Sequence, residues 1–158
     1  MSDEPYLPKI HLVLYQPEIP HNTGALGRTC VALGAKLWLV QPLGFQLTTR
    51  QLKRAGLDYW QYLNWEMVPS WNHLIKELPE QARYFYFTKK GKTRYDTVNY
   101  QVGDVLVFGS ETSGLPDSFT QREENKTLYL PMKSEVRSLN LAVSASIAGY
   151  EAVRQIGF

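Results

Sequence analysis

Apolar residues along the chain fall into short runs, separated by polar stretches rich in glycine and proline. Ile10–Tyr15, Lys36–Gln41, Trp65–Val68, Arg83–Thr88, Asp104–Phe108 and Thr127–Leu130 combine β-branched, aromatic and leucine residues. Each reads as a strand. Most are apolar at consecutive positions rather than alternate ones, which is the pattern of parallel strands buried on both faces. Segments of helical character lie between them. Ala25–Leu33 is one, with Asn22 or Thr23 as its N-cap and Gly34 as its stop. Arg50–Ala55 is a short one, capped by Thr48 or Thr49 and ended by Gly56, and Trp71–Leu78 follows Pro69-Ser70. Pro116–Glu123 is short again, and Ser138–Ile156 is the longest, with Ser138 and Asn140 as candidate caps. Strand and helix alternate from end to end, so the fold class is α/β, a parallel sheet with helices on both faces.

The breaks between elements carry the information. Pro17 and Pro20 prevent the first strand from continuing. Residues 1–8 read as a flexible tail, and Lys89–Lys92 as a basic turn. No linker, repeat or low-complexity segment divides residues 1–158, so one domain is expected. The final helix is rich in small residues, Ala142, Ser144, Ala145, Ser146, Ala148, Gly149 and Ala152, which predicts a close internal or dimeric packing.

Composition narrows the function classes. Apolar residues make up 44% and charged residues 20%, a globular balance, and the net charge is +2. That charge permits nucleic-acid binding without requiring it. Cys30 is the single cysteine, so no intrachain disulfide or cysteine-based zinc site is expected. His11, His21 and His73 lack metal-ligand spacing, so no metal is expected. The N-terminus is acidic where a signal peptide would be basic, and no run is long enough to span a membrane. The expectation is a soluble cytoplasmic protein.

Three loops, each after a strand, hold the candidate chemistry. The first is Asn22-Thr23-Gly24-Ala25-Leu26-Gly27-Arg28-Thr29. With Asn22 as cap, Arg28 falls in the first two turns of its helix, where a cation is electrostatically misplaced. It serves either a salt bridge or an anion contact suited to a guanidinium fork. The second is Gly109-Ser110-Glu111-Thr112-Ser113-Gly114 after the Asp104–Phe108 strand, with Glu111 a candidate for fixing the loop. The third runs from Leu130-Pro131-Met132 to Arg137-Ser138-Leu139-Asn140. No G-x-G-x-x-G follows the first strand, Gly114 is followed by Leu115-Pro116 rather than Lys-Ser/Thr, and no G-x-S-x-G is present. Dinucleotide, P-loop and nucleophile-elbow chemistry therefore lose support. Basic residues cluster at Arg50, Lys53 and Arg54 and at Lys89, Lys90, Lys92 and Arg94, with Tyr59, Trp60, Tyr62 and Tyr95 close in sequence. That mix suits an RNA backbone and unpaired bases, or a plain solvated face.

In order and spacing, Asn22-x-Gly24-x-x-x-Arg28-Thr29, Phe108–Pro116 and Leu130-Pro131-Met132 with Arg137-Ser138-Leu139-Asn140-Leu141 resemble the SPOUT class of RNA methyltransferases. Leu14–Gly24, Arg54–Tyr59 and Tyr150-Glu151-Ala152 are similar to the small tRNA (cytidine/uridine-34) 2′-O-methyltransferases of the TrmL/YibK type, and the likeness covers essentially the whole chain. Lys133-Ser134-Glu135-Val136 stands where some members have a Pro-Asp type sequence. The resemblance implies a C-terminal deep trefoil knot, a topology that general chain rules disfavour. It also implies a homodimer and S-adenosyl-L-methionine bound by the knot loops. The expected activity is methylation of the wobble nucleotide in the anticodon stem-loop of tRNA. By position it assigns cofactor contacts to Phe87, Gly109, Leu130 and Ser138, and substrate or interface roles to Arg137, Asn140 and Tyr150. Arg28 becomes the catalytic residue, as base or as organiser of the target phosphate. Two other classes stay in view, a non-catalytic RNA-binding dimer and a nucleotide-dependent oxidoreductase.

Overall fold

The computed structural model describes residues 7–48, 50 and 58–158. The helix expected over Arg50–Ala55, with Lys53 and Arg54 of its basic group, lies outside them apart from Arg50. Seven strands form one sheet: β1 (His11–Tyr15), β2 (Lys36–Val40), β3 (Trp65–Val68), β4 (Tyr84–Phe87), β5 (Thr93–Arg94), β6 (Val105–Phe108) and β7 (Thr127–Tyr129). Their order is β3-β2-β1-β6-β4-β7-β5, and every pairing is parallel. Among the described residues four α-helices form: α1 (Pro20–Leu33), α2 (Trp71–Glu77), α3 (Asp117–Arg122) and α4 (Leu141–Ile156).

The two-residue alternation of a strand explains why the runs are apolar throughout. In β1, Leu12 and Leu14 join one core while Val13 joins the other. The same division separates Leu106 and Phe108 from Val105 and Val107 in β6, and Phe85 and Phe87 from Tyr86 in β4. Leu26, Cys30 and Leu33 of α1 and Ala142, Ala145, Ala148, Ala152 and Val153 of α4 cover the first face. Leu74 of α2 and Phe119 of α3 cover the second. A sheet buried from both sides has no polar face to show, as expected.

The small residues of α4 serve internal packing against α1. A Cβ on Gly149 would lie 3.0 Å from Leu33 Cδ1 and 3.4 Å from Leu12 Cδ1, so the helix seats directly on the core. Thr29 of α1 and Ser146 of α4 are joined by a 2.9 Å hydroxyl contact.

Three expectations need correction. Helix α1 begins at Pro20, not after Asn22 or Thr23. Proline fits the first helical position because its missing N–H would have no partner there, and the cap is Ile19, whose side chain makes no capping bond. Arg28 is therefore the ninth of 14 residues, clear of the N-terminal turn. Helix α4 is capped by Asn140, whose Oδ1 accepts from Val143 N at 3.2 Å, so Ser138 lies ahead of the cap. Beyond the basic turn Lys89–Lys92, Thr93-Arg94 form β5, a strand the sequence did not suggest, which adds to the far edge of β7.

Candidate active site

Parallel strands bring their carboxyl ends to one edge, and ligands in such sheets bind where the direction of winding reverses. Here β1 leads outward to β2 and β3 on one side and is flanked by β6 on the other. The loops leaving β1 and β6 diverge at that point, and they are locked together by one carboxylate. Glu111 accepts from Glu18 N at 2.7 Å, from Ile19 N at 3.1 Å and from Asn22 Nδ2 at 3.2 Å. Two of those donors are backbone N–H groups at the start of α1, where a helix has no internal acceptors and favours negative charge. Glu111 thus caps α1 from across the sheet, which is why Ile19 suffices at the cap.

The same network reaches the third loop. Asn140 Nδ2 donates to Asn22 Oδ1 at 2.9 Å, while Asn140 Oδ1 caps α4. Asn22 is buried and uses both ends of its carboxamide, one toward Glu111 and one toward Asn140. The three loops therefore meet, through Glu111, Asn22 and Asn140. Glu18 returns the link, accepting from the Thr112 hydroxyl at 2.6 Å. That bond is the main reason its carboxyl sits below the usual carboxylate range.

Other candidates fall into two groups. Phe87, Gly109 and Leu130 lie at the ends of the adjacent strands β4, β6 and β7, with Phe87 abreast of Phe108 and Leu128 in register. Phe87 stacks on Phe108 at 4.5 Å. Gly109 cannot be replaced without moving backbone, since a Cβ there would fall 2.1 Å from the Gly114 carbonyl carbon. Ser138 and Arg137 are exposed in the segment between β7 and α4. Arg137 and Tyr150 stand outside the hydrogen-bonded network; Tyr150 is exposed on α4, 6.1 Å from the Phe158 ring.

Arg28 projects from the exposed side of α1. Its Nη2 is 3.8 Å from Asp58, and both side chains are largely exposed at 67% and 89%. Such a pair contributes little, so the guanidinium is available to another anion. Its carbon lies 4.9 Å over the Tyr59 ring. Tyr59 in turn donates its hydroxyl to the Gly24 carbonyl within α1, and burial pushes its pKa up to about 12, which keeps it a donor. Of the flagged basic group, Arg94 is already engaged by Asp96 at 2.6 Å. The residues to which sequence reasoning assigns no role of their own are Glu18 and Gln16. The clue for the first was Gly44, needed because a Cβ there would lie 2.8 Å from Glu18 Cα.

The residues at the three strand ends suit a nucleoside-bearing cofactor. They offer backbone groups and the buried aromatic Phe87 beside a glycine turn, with no charged side chain among Phe87, Gly109, Leu130 and Ser138. Among the described residues, no group of His, Cys, Asp or Glu could hold a metal ion. None of their helices is long and apolar enough to cross a membrane.

Residues 9–150 match the model of the SpoU rRNA Methylase family. The chain is 48% identical over 151 residues to the tRNA (cytidine(34)-2′-O)-methyltransferase of Methylovorus glucosotrophus strain SIP3-4, covering 93% of this chain and 96% of that one. It also resembles a structure solved for insight into 2-OH methylation of C/U34 on tRNA, with a TM-score of 0.87, 47% identity and coverage of 92% and 95%. At 23% identity, AviRb from Streptomyces viridochromogenes in complex with AdoMet shares the fold, with a TM-score of 0.82 over 98% of this chain and 62% of that one.

Proposed function

Because the chain belongs to the SpoU methylase family, we propose that it transfers a methyl group from S-adenosyl-L-methionine to the ribose 2′-oxygen of nucleotide 34 in tRNA. The observation that carries the reading is the Glu111–Asn22–Asn140 network, which joins the three motif loops at the reversal point of the sheet. Near full-length identity of 48% to a tRNA (cytidine(34)-2′-O)-methyltransferase supports it.

When bound, the cofactor supplies an electrophilic methyl group on a sulfonium centre. The protein's part is alignment and the handling of one proton. Phe87, Gly109, Leu130 and Ser138 would hold the adenosine portion through backbone groups and apolar contact. Arg28 would hold the RNA near the reacting oxygen. Arginine stays protonated and is a poor base, so we assign it the organising role, with its fork on a phosphate oxygen. Asn140 positions the third loop through Asn22, while Arg137 and Tyr150 suit contacts to RNA or to a second subunit.

The chain is read as a single domain that ends in a deep trefoil knot and acts as a homodimer. The insertion of β7 between β4 and β5 supports the knot. The exposed apolar stripe Val143, Ile147 and Tyr150 along α4, with Phe158 beyond it, supports the dimer. The anticodon stem-loop in the cytoplasm is the expected partner. The deciding experiment incubates the protein with labelled S-adenosyl-L-methionine and tRNA from a strain lacking the activity. A 2′-O-methylated nucleoside at position 34 is expected, and its absence sinks the assignment.

A further inference from the structure

A cleft at the reversal point is left unused by the roles assigned above. It measures about 350 Å³, within the roughly 300–1,000 Å³ usual for small-molecule sites. Its walls come from the ends of three strands: Tyr15 at the end of β1 with Gln16 after it, Pro42 and Leu43 after β2, and Ser110 and Ser113 after β6. Phe87, Gly109, Leu130 and Ser138 take no part in it.

Gln16 marks the cleft as more than a surface gap. Its φ is 52°, and it is the one non-glycine residue with positive φ among the described residues. Left-handed backbone is strained for a side chain of this size, and such strain persists where the surroundings impose it, often at binding sites. The surroundings do impose it: Gln16 N donates to Val40 O at 2.9 Å, and Gly44 N donates to Pro17 O at 2.9 Å. The cleft is therefore built before anything enters. The Gln16 side chain makes one hydrogen bond, from Nε2 to the Tyr15 hydroxyl at 3.3 Å.

The lining chooses among ligands. Among the described residues no lysine or arginine lines the cleft, whereas Glu18 does. A phosphate is disfavoured there and a neutral base is not. Tyr15, Pro42 and Pro116 in the lining offer apolar surface for a base. A carboxamide presents both an acceptor and a donor. By turning over, it can accept from the 4-amino group of cytosine or donate to the 4-oxo group of uracil.

We infer that this cleft receives an unpaired pyrimidine base of the RNA substrate, read by the carboxamide of Gln16. The inference rests on the tRNA methyl-transfer reading above. Two variants test it. Gln16→Asn keeps a residue that tolerates the left-handed conformation and withdraws the carboxamide by one methylene. Ser113→Phe, at an exposed position, fills the cleft. Steady-state methylation of tRNA and calorimetric titration with S-adenosyl-L-methionine are measured for both and for the wild type. The expected result is a KM for tRNA raised roughly tenfold in each, the scale of one hydrogen bond or stacked ring, with melting temperature and cofactor affinity unchanged. Unchanged KM in both variants overturns the proposal, and so does loss of cofactor affinity with KM retained, which would give the cleft to the cofactor. Should the wild type itself transfer no methyl group, the function reading fails separately. Binding of a labelled oligocytidylate RNA to wild type and Gln16→Asn then decides the cleft, and equal affinity for the two rejects it.

Discussion

Replacing Glu111 by Gln removes a charge while keeping shape, and its consequence can be worked from the structure. The two carboxylate oxygens divide the work: Oε2 takes Glu18 N, while Oε1 takes Ile19 N and Asn22 Nδ2. A carboxamide has one oxygen, so whichever way it turns, one side meets an N–H with its own NH₂. The least damaging orientation keeps oxygen toward Ile19 and Asn22 and abandons the 2.7 Å bond from Glu18. A hydrogen bond to a charged group contributes about 1.5–3 kcal/mol, and the negative charge at the start of α1 adds about 0.3–1 kcal/mol. Water reaches this half-buried site, so we take the low end and expect a loss of about 2 kcal/mol. For a chain of this size that is roughly 4–8 °C in Tm. Urea denaturation at one fixed protein concentration measures it. Methylation should fall more than folding does, because the start of α1 also sets the position of Arg28. A cycle with Asn140→Ala should show coupling of about 0.5 kcal/mol or more, as expected of members of one network. A loss below about 0.5 kcal/mol with full activity would refute the view of Glu111 as the tie between loops.

Three further outcomes follow from other residues. Arg28→Ala should abolish methyl transfer while cofactor affinity, read by calorimetry, is largely spared; equal loss of both would place Arg28 on the cofactor instead. Thr23 is buried and its hydroxyl has no hydrogen-bond partner among the described residues, so the isosteric Thr23→Val should leave stability unchanged or raise it by up to about 1 kcal/mol in a denaturant titration. His11 has its pKa lowered from 6.5 to about 4, by burial first and then by the Lys36 charge. The unfolded chain then binds the extra proton between those values, so stability should fall as pH drops from about 6.5 to about 4, by about 1–3 kcal/mol relative to a His11→Gln variant.

How far the sequence reached depended on the range of the interaction. Local patterning was enough for the strands: Trp65–Val68 matches β3, and Tyr84–Phe87 and Val105–Phe108 sit inside the expected runs. The end of α1 at Gly34 was legible too, since its φ of 68° is what a glycine stop supplies. The start of α1 was misread because Asn22 is a good cap by residue type, yet its carboxamide is committed to Glu111 and Asn140, 89 and 118 residues away. β5 escaped because Thr93-Arg94 has no apolar run; it is held by backbone pairing to β7 alone. Sheet order was invisible to periodicity for the same reason. The likeness of the three loops to a known class gave their identity and their company, but not the atoms that join them.

The network also explains why the first loop can begin a helix without any capping side chain of its own. An ordinary cap would fix α1 only to its own loop. Capping by Glu111 fixes α1 to the loop after β6, and Asn22 then carries the constraint to the start of α4 through Asn140. Thr29 and Ser146 repeat the linkage farther along the same two helices, about three and two turns from their caps. Arg28 sits beside that second tie, on a helix whose start and middle are both held. A guanidinium that must meet one phosphate oxygen needs such a mount more than it needs a partner, and its exposed contact with Asp58 supplies little restraint of its own. Asp58→Asn should therefore leave methyl transfer within about twofold of wild type, whereas Glu111→Gln should not, and the reverse ranking in a single-turnover assay would show that the ion pair, not the network, positions Arg28.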